Sequence, residues 1–144
     1  MAYRFENKEI LIDQDIAIGI KFPFNGQRIF NSTFTTLDQS SSNIKNLLLT
    51  GRGERYQLNE FGTVLKYLLF EQQSTELKIA IDEEIRNAVN RWLPYISIES
   101  IETNYNSPAD TYITIKITYS VSNIEAEQSL TLSSKEDGSI NINP

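Results

Sequence analysis

Residues 47–70 read LLLTGRGERYQLNEFGTVLKYLLF, two apolar segments around a glycine- and arginine-rich connection. Leu47, Leu48 and Leu49 form the last buried turn of one helix, and Gly51 and Gly53 stand where a chain leaves a helix in a left-handed conformation. Phe61-Gly62 then leads into a second apolar helix over 63–70, in which Val64, Leu65, Leu68 and Leu69 recur at helical spacing. The expectation is helix, ordered loop, helix. Arg52, Glu54 and Arg55 fall within four residues of one another. They form either a self-satisfied ion-pair cluster that braces the two helices, with Arg55 on Glu60 or Glu71, or a charged surface offered to a partner.

Upstream, Asp38 is placed to cap a helix over 39–50, since its carboxylate can accept first-turn amides and Ile44, Leu47 and Leu48 share a face. Ser40, Ser41 and Ser42 weaken that start. Before it, Ile16, Ile18 and Ile20 alternate with Ala17, Gly19 and Lys21, the period of an extended segment. Pro23 stops ladder pairing and Asn25-Gly26 signals a turn, so the piece is a clamp or edge strand across the core, or a partner-binding arm. Ile29, Phe30 and Phe34 lie in a further irregular or extended connection.

Downstream, Ser74 caps the strongest helix of the chain, with Glu76 in its first turn and Arg86 and Arg91 toward its end, as the helix dipole favours. Leu77, Ala80, Ile81, Ile85, Ala88, Val89 and Trp92 make its apolar stripe, and Pro94 ends it at Leu93. From Tyr95 the period becomes two. Ile96, Ile98 and Ile101 read as a strand with a phase slip near Glu99 and Ser100 that a bulge explains. Ser107-Pro108 marks a turn. Ile113, Ile115, Ile117, Tyr119 and Val121 form the clearest half-buried strand, Asn123 turns the chain, and Ile124, Ala126, Leu130 and Leu132 continue on a last strand with Gln128 as a polar exception. Short connections make the sheet antiparallel. The expected fold class is therefore α+β in one domain over 1–144: an extended arm at 1–36, about three helices in 38–93, an antiparallel sheet in 95–133, and a loose tail or hairpin remnant at 134–144.

Composition removes most chemistry. The chain has 144 residues, no cysteine and no histidine, so disulfides, thiol and imidazole catalysis and the usual zinc or haem ligands are out of reach, and no cofactor or metal is expected. A net charge of −6 argues against nucleic acid or anionic membrane as a partner. No apolar run approaches the ~18 residues of a membrane helix, and Met1 to Glu6 lack the order of a signal peptide, so synthesis in the cytoplasm is expected. The GRGER element lacks the ending of a phosphate-binding loop. What remains is carboxylate chemistry or pure binding.

The pieces Leu47 to Thr50, Gly53-Glu54-Arg55, Glu60-Phe61-Gly62 and Leu68-Leu69-Phe70-Glu71, with Ile18-Gly19-Ile20 and Phe22-Pro23-Phe24 before them, resemble the tailed-phage baseplate wedge family. That family is also called lysozyme-like and includes the type VI secretion baseplate component. The resemblance reaches from about Ile18 to Glu71 and, less sharply, to Pro94. It implies a non-enzymatic subunit of the tail baseplate in the virion, assembled in the host cytoplasm within a six-fold hetero-oligomeric structure. Its partners would be baseplate wedge proteins and the tail sheath protein, with tail tube or hub proteins as further neighbours. The family's Glu-Pro-Arg contact with the wedge core bundle matches Leu93-Pro94-Tyr95 here, so the proline is kept and both charges are lost. An apolar docking corner of Trp92, Leu93 and Tyr95 is one consequence; ordinary core packing is the other.

The lysozyme-like name also raises a carboxylate-based peptidoglycan hydrolase using Glu54, Glu60 and Glu71. Glutamates beside arginines or at a helix end stay ionised, which disfavours a general acid, and no catalytic residue is assigned. The hairpin at 111–133 is the candidate sheath template, with Lys116, Thr118, Ile124, Glu125, Glu127 and Thr131 along strands whose free edge would accept an added strand. Its alternative is a plain packing sheet, blunted by Lys116, Glu125 and Glu127.

Overall fold

The computed structural model describes residues 16–22, 24, 30–105, 113–122, 124–134 and 140–143. The expectations for residues 1–15, Pro23, Asn25-Gly26, Ile29, Ser107-Pro108 and Asn123 fall outside that set. In chain order the elements are β1 (Gly19–Ile20), β2 (Ser32–Thr33), α1 (Thr36–Leu49), α2 (Leu65–Leu68), α3 (Thr75–Trp92), β3 (Ile96–Tyr105), β4 (Ile113–Val121), β5 (Ile124–Ser134) and β6 (Ile140–Asn143). The fold class is α+β, and the described residues hold three helices, a two-stranded β1-β2 pair and a four-stranded antiparallel sheet of order β3-β4-β5-β6.

α1 starts three residues before the position expected from Asp38. Its cap is Thr35, whose Oγ1 accepts the Asp38 N–H at 3.2 Å while its hydroxyl donates to Asp38 Oδ2 at 2.8 Å. Asp38 therefore sits in the third helical position, and its carboxylate accepts from the hydroxyl of the cap rather than capping an amide itself. The serines that weaken the helix on propensity satisfy themselves: Ser40 Oγ donates to Thr36 O at 2.7 Å and Ser42 Oγ to Asp38 O at 2.9 Å, bonds that let small hydroxyls enter the interior.

α2 is a single turn rather than the eight residues expected over 63–70. Thr63 is committed to the loop, and past Leu69 the Phe70 and Glu71 amides bond to Tyr67 O and Leu68 O, a tighter winding that ends the helix. Four residues have no helical stability of their own. α2 persists because Leu65 and Leu69 are buried, leaving Tyr67 and Phe70 outside.

α3 follows its sequence signals. Ser74 Oγ accepts the Leu77 N–H at 3.0 Å, and the Glu76 carboxyl is held below its usual range by its own backbone N–H and the Ser74 hydroxyl. Leu77, Ile81, Ile85, Ala88 and Val89 are buried, and the helix stops at Leu93 before Pro94. This stripe joins Ile44, Leu47 and Leu48 of α1 over the inner face of the sheet. That face is built by period two: Ile113, Ile115, Ile117, Tyr119 and Val121 are all buried. Burial pushes the Tyr119 phenol up, although its contact with the Ser41 side chain opposes the shift.

The phase slip expected near Glu99 and Ser100 is a register shift between Ile98 and Ser100. Arg86 uses it: its Nη1 donates to Ile98 O at 3.1 Å while Nε holds Asp82 at 2.9 Å. Of the two expectations for 134–144, a loose tail or a hairpin remnant, β6 agrees with the second, since it pairs antiparallel with β5 from Thr131↔Asn143 to Ser134↔Ile140. Ile140 and Ile142 alternate inward against the core with Asn141 and Asn143 outward, a two-residue period that the asparagines disguise.

Candidate functional site

The loop between α1 and α2 is closed by backbone at two levels. At its base, Gly51 and Thr63 form a parallel bridge, with Arg52 N donating to Thr63 O at 3.1 Å and Thr63 N to Thr50 O at 2.9 Å. Further out, Gly53 N donates to Asn59 O at 2.8 Å. The Thr63 hydroxyl ties the loop to the end of α1 by donating to Leu48 O at 3.2 Å. Gly53 and Gly62 adopt φ of +90° and +108°, backbone that glycine reaches without steric cost.

Side chains brace this loop, though not in the expected pairs. Arg52 Nη2 meets Glu84 Oε1 of α3 at 2.8 Å, and the same oxygen accepts the Val64 N–H at 2.9 Å. Lys66 Nζ meets Glu54 Oε1 at 2.8 Å, while Glu54 Oε2 accepts the Gly51 N–H at 2.8 Å. Lys66 and the Gly51 amide together hold the Glu54 carboxyl below the usual carboxylate range. Arg91 pairs with Glu60. Arg55 pairs with neither Glu60 nor Glu71: its guanidinium lies 3.9 Å from the centroid of the Phe61 ring and donates to Asn46 Oδ1 at 3.4 Å. The correction has a steric reason, since Phe61 occupies the space beside Arg55 and Arg91 takes Glu60. Glu71 is exposed.

Nothing local in the sequence marks Glu84, which lies 32 residues from Arg52, yet its side chain is 15% exposed against 71% for Glu60. Glu84→Ala is expected to cost about 1–2 kcal/mol, because it strands the Val64 amide as well as Arg52. Glu60→Ala should cost under about 0.5 kcal/mol, as an exposed pair does. Urea unfolding of the two variants side by side checks the ranking.

At the corner after α3, Trp92 packs edge-on against Phe61 with ring centroids 5.2 Å apart, and the Arg91 guanidinium lies over the Trp92 ring, 5.2 Å from its centroid. Leu93 is buried, Pro94 exposed and Tyr95 half-buried. The Tyr95 hydroxyl accepts from Asn43 Nδ2 at 2.7 Å. Trp92 and Leu93 thus serve packing, and the surface that this corner presents is Pro94 with the outer parts of Trp92 and Tyr95.

Of the six residues expected along the free edge, the sheet leaves Ile124, Glu125 and Glu127 on one and encloses Lys116, Thr118 and Thr131. β4 is bonded on both sides, so Lys116 and Thr118 stand at the centre, opposite Glu102 and Ser100 on β3 and Thr131 and Ser129 on β5. Thr131 is enclosed too, because Asn143 pairs with it from β6. Proline at Thr118 or Thr131 would therefore break an interior ladder rather than probe an edge. Among the described residues, the outer side of β5 from Ile124 to Leu130 carries no paired strand, which leaves Ile124, Glu125 and Glu127 on an open stretch. Within the same described residues β3 has no strand paired on its outer side, and the bulge and the bond from Arg86 to Ile98 O lie in its first half.

No group of acids capable of holding a metal ion occurs among the described residues. A family model described as baseplate wedge protein gp25 matches residues 38–126. No curated protein matches the chain. Among solved structures, a protein from Geobacter sulfurreducens that bears the name tail lysozyme is 24% identical, with 70% of this chain and 92% of that chain aligned at a TM-score of 0.61. A chain of the postcontracted pyocin R2 baseplate is 17% identical, with 68% and 96% aligned at a TM-score of 0.58. A chain of the six-fold symmetrised baseplate of the anti-feeding prophage is 20% identical, with 73% and 85% aligned at a TM-score of 0.62. At these identities the likeness is one of fold.

Proposed function

The chain belongs to the baseplate wedge protein gp25 family, and from that membership we propose that it is a structural subunit of the baseplate of a contractile phage tail or a pyocin-like machine. The observation that carries the reading is the family match over residues 38–126, which takes in most of α1, the braced loop, α3, the corner, β3, β4 and the start of β5. In this reading the subunit joins wedge partners of a six-fold assembly through the Pro94 corner, with Trp92 and Tyr95 as its apolar flanks. The open stretch of β5 then receives a strand from a sheath subunit. Such an edge supplies unsatisfied amides and carbonyls in the right spacing for an added strand, on a sheet already anchored by the buried isoleucines of β4.

The subunit acts without catalysis. A glycosidase needs one carboxyl held neutral in an apolar wall, whereas Glu54 is exposed, ion-paired and shifted toward the ionised form, and Glu60 is exposed and paired with Arg91. Co-expression with the neighbouring tail proteins, followed by capture of the tagged subunit, tests the reading. Co-purification of wedge and sheath proteins, with peptidoglycan turbidity unchanged from buffer, is the expected result. A lone monomer that clears peptidoglycan, and loses that activity on Glu54→Gln, Glu60→Gln or Glu71→Gln, would overturn it.

A further inference from the structure

A cleft of ≈ 450 Å³ opens between the arm and α1. Its volume lies in the range of sites that take a ligand. One wall is apolar, made by Ile20, Phe22 and Phe24, and Ile20 and Phe24 are 48% and 59% exposed. The other is the amide face of α1, Gln39, Asn43 and Asn46, and Arg55 closes one end.

The amide wall is fixed by a chain of hydrogen bonds. Thr33 Oγ1 donates to Gln39 Oε1, Gln39 Nε2 to Asn43 Oδ1 at 2.8 Å, and Asn43 Nδ2 to the Tyr95 hydroxyl at 2.7 Å. The arm is attached to it by the Phe22 N–H, which donates to Ser42 Oγ at 3.3 Å. Arg55 is steadied by its stack on Phe61 and its bond to Asn46. A wall and a cation that are already ordered cost a ligand little to engage.

Charge decides the kind of ligand. In a chain of net charge −6, the carboxylate pairs among the described residues use Arg52, Lys66, Arg86 and Arg91. Arg55, Lys21 and Lys45 have no carboxylate at ion-pair distance in that set. Of these only Arg55 lines the cleft; Lys21 falls between Ile20 and Phe22 in the chain, and Lys45, 7% exposed, is close enough to Lys21 that burial and that neighbour both lower its proton affinity. A locally cationic end beside an apolar wall complements a group that is both acidic and apolar. A bare anion would leave the phenylalanines uncovered, and a purely apolar segment would bury the guanidinium without a counter-charge.

We propose that this cleft seats an extended acidic segment of another protein, with an apolar side chain against Ile20, Phe22 and Phe24 and a carboxylate on the Arg55 guanidinium. The proposal follows from the charge and shape of the cleft and stands apart from the baseplate reading. The test is titration of the ¹⁵N-labelled full chain with the capped peptide Ser-Ile-Phe-Asp-Glu-Ser, and with its counterpart carrying Asn and Gln in place of the acids, followed by NMR. The acidic peptide is expected to shift the amides of Ile20, Phe22, Asn43 and Asn46 and the side chain of Arg55, and to bind roughly tenfold more tightly than the neutral one. Arg55→Gln should remove that preference. Because Arg55 also stacks on Phe61, Lys21→Gln at an exposed position serves as a second variant and should weaken the acidic peptide about threefold. Equal binding of the two peptides, shifts elsewhere or no shifts at all would overturn the proposal. So would dimerisation without peptide that moves the same resonances, which would assign the cleft to a second copy.

Discussion

Replacing Gly62 by alanine is expected to lower the melting temperature by roughly 10 °C, from a loss of at least ~3 kcal/mol. Two effects add at this position. With φ at +108°, any side chain is forced into backbone space that L-residues rarely enter. The new Cβ would also overlap the Thr50 carbonyl oxygen and come within 3.0 Å of its carbon and 3.1 Å of the Gly51 carbon. Those atoms are backbone at the junction that closes the loop, so they cannot step aside without opening the bond from Thr63 N to Thr50 O. Gly53 supplies the control. It has φ of +90°, but a methyl group added there would meet nothing within 4 Å, so Gly53→Ala should cost only ~1–2 kcal/mol of conformational strain. Thermal melts followed by circular dichroism separate the two, and equal losses would mean that the close approach at Gly62 is unimportant.

Trp92→Ala is expected to cost about 3 kcal/mol, the lower end of the range for truncating a buried aromatic, because the ring is half-buried. Its edge-on contact with Phe61 is the link between α3 and the braced loop, and Phe61 in turn carries Arg55. The loss should therefore extend to the loop. Hydrogen exchange is the suitable measurement: the Arg52, Gly53 and Thr63 amides, protected by their loop bonds, are expected to exchange faster in Trp92→Ala, even after allowing for the lower global stability. Unchanged loop protection relative to the core would show that the ion pairs to Glu84 and Glu54 hold the loop unaided.

The parts of the fold that were legible in the sequence are those written in local signals. Ser74, the stripe from Leu77 to Val89 and Pro94 specify α3 from its cap to its end, because each acts within a turn or two of its own position. The alternation from Ile113 to Val121 specifies β4 for the same reason, and the slip in phase at Glu99 locates the bulge. Asp38 misled because Thr35, three residues earlier, is an equally good cap and holds the Asp38 carboxylate with its hydroxyl. The one-turn length of α2 is set by Thr63, whose bridge to Gly51 is a loop contact with no helical signature. In the site, the left-handed backbone expected at Gly51 and Gly53 is found at Gly53 and not at Gly51, which lies in the parallel bridge to Thr63, and Gly62 takes the second such position; partner choice in turn depends on which side chains α3 brings across. Glu84 and Arg91 arrive from about thirty residues away, and only the packed structure brings them to Arg52 and Glu60. β6 was legible only as one of two alternatives because Asn141 and Asn143 suggest a tail, whereas the decisive residues are Ile140 and Ile142, which become strand residues only where β5 offers an edge.

The proposed sheath contact depends on the open edge of β5. Along β5, successive amides point alternately toward β4 and away from it, so of Gln128→Pro and Ser129→Pro one removes an outward amide and the other an amide bonded to β4. Asn104→Pro on β3 provides a comparison at the opposite side of the sheet. The measurement is sheath nucleation from assembled baseplates, seen by electron microscopy, with folding of each variant checked by its melting curve. The outward-amide variant of β5 is expected to fold and enter the baseplate but to start no sheath, while folded Asn104→Pro starts it normally. Normal sheath from both folded β5 variants would contradict the proposed contact.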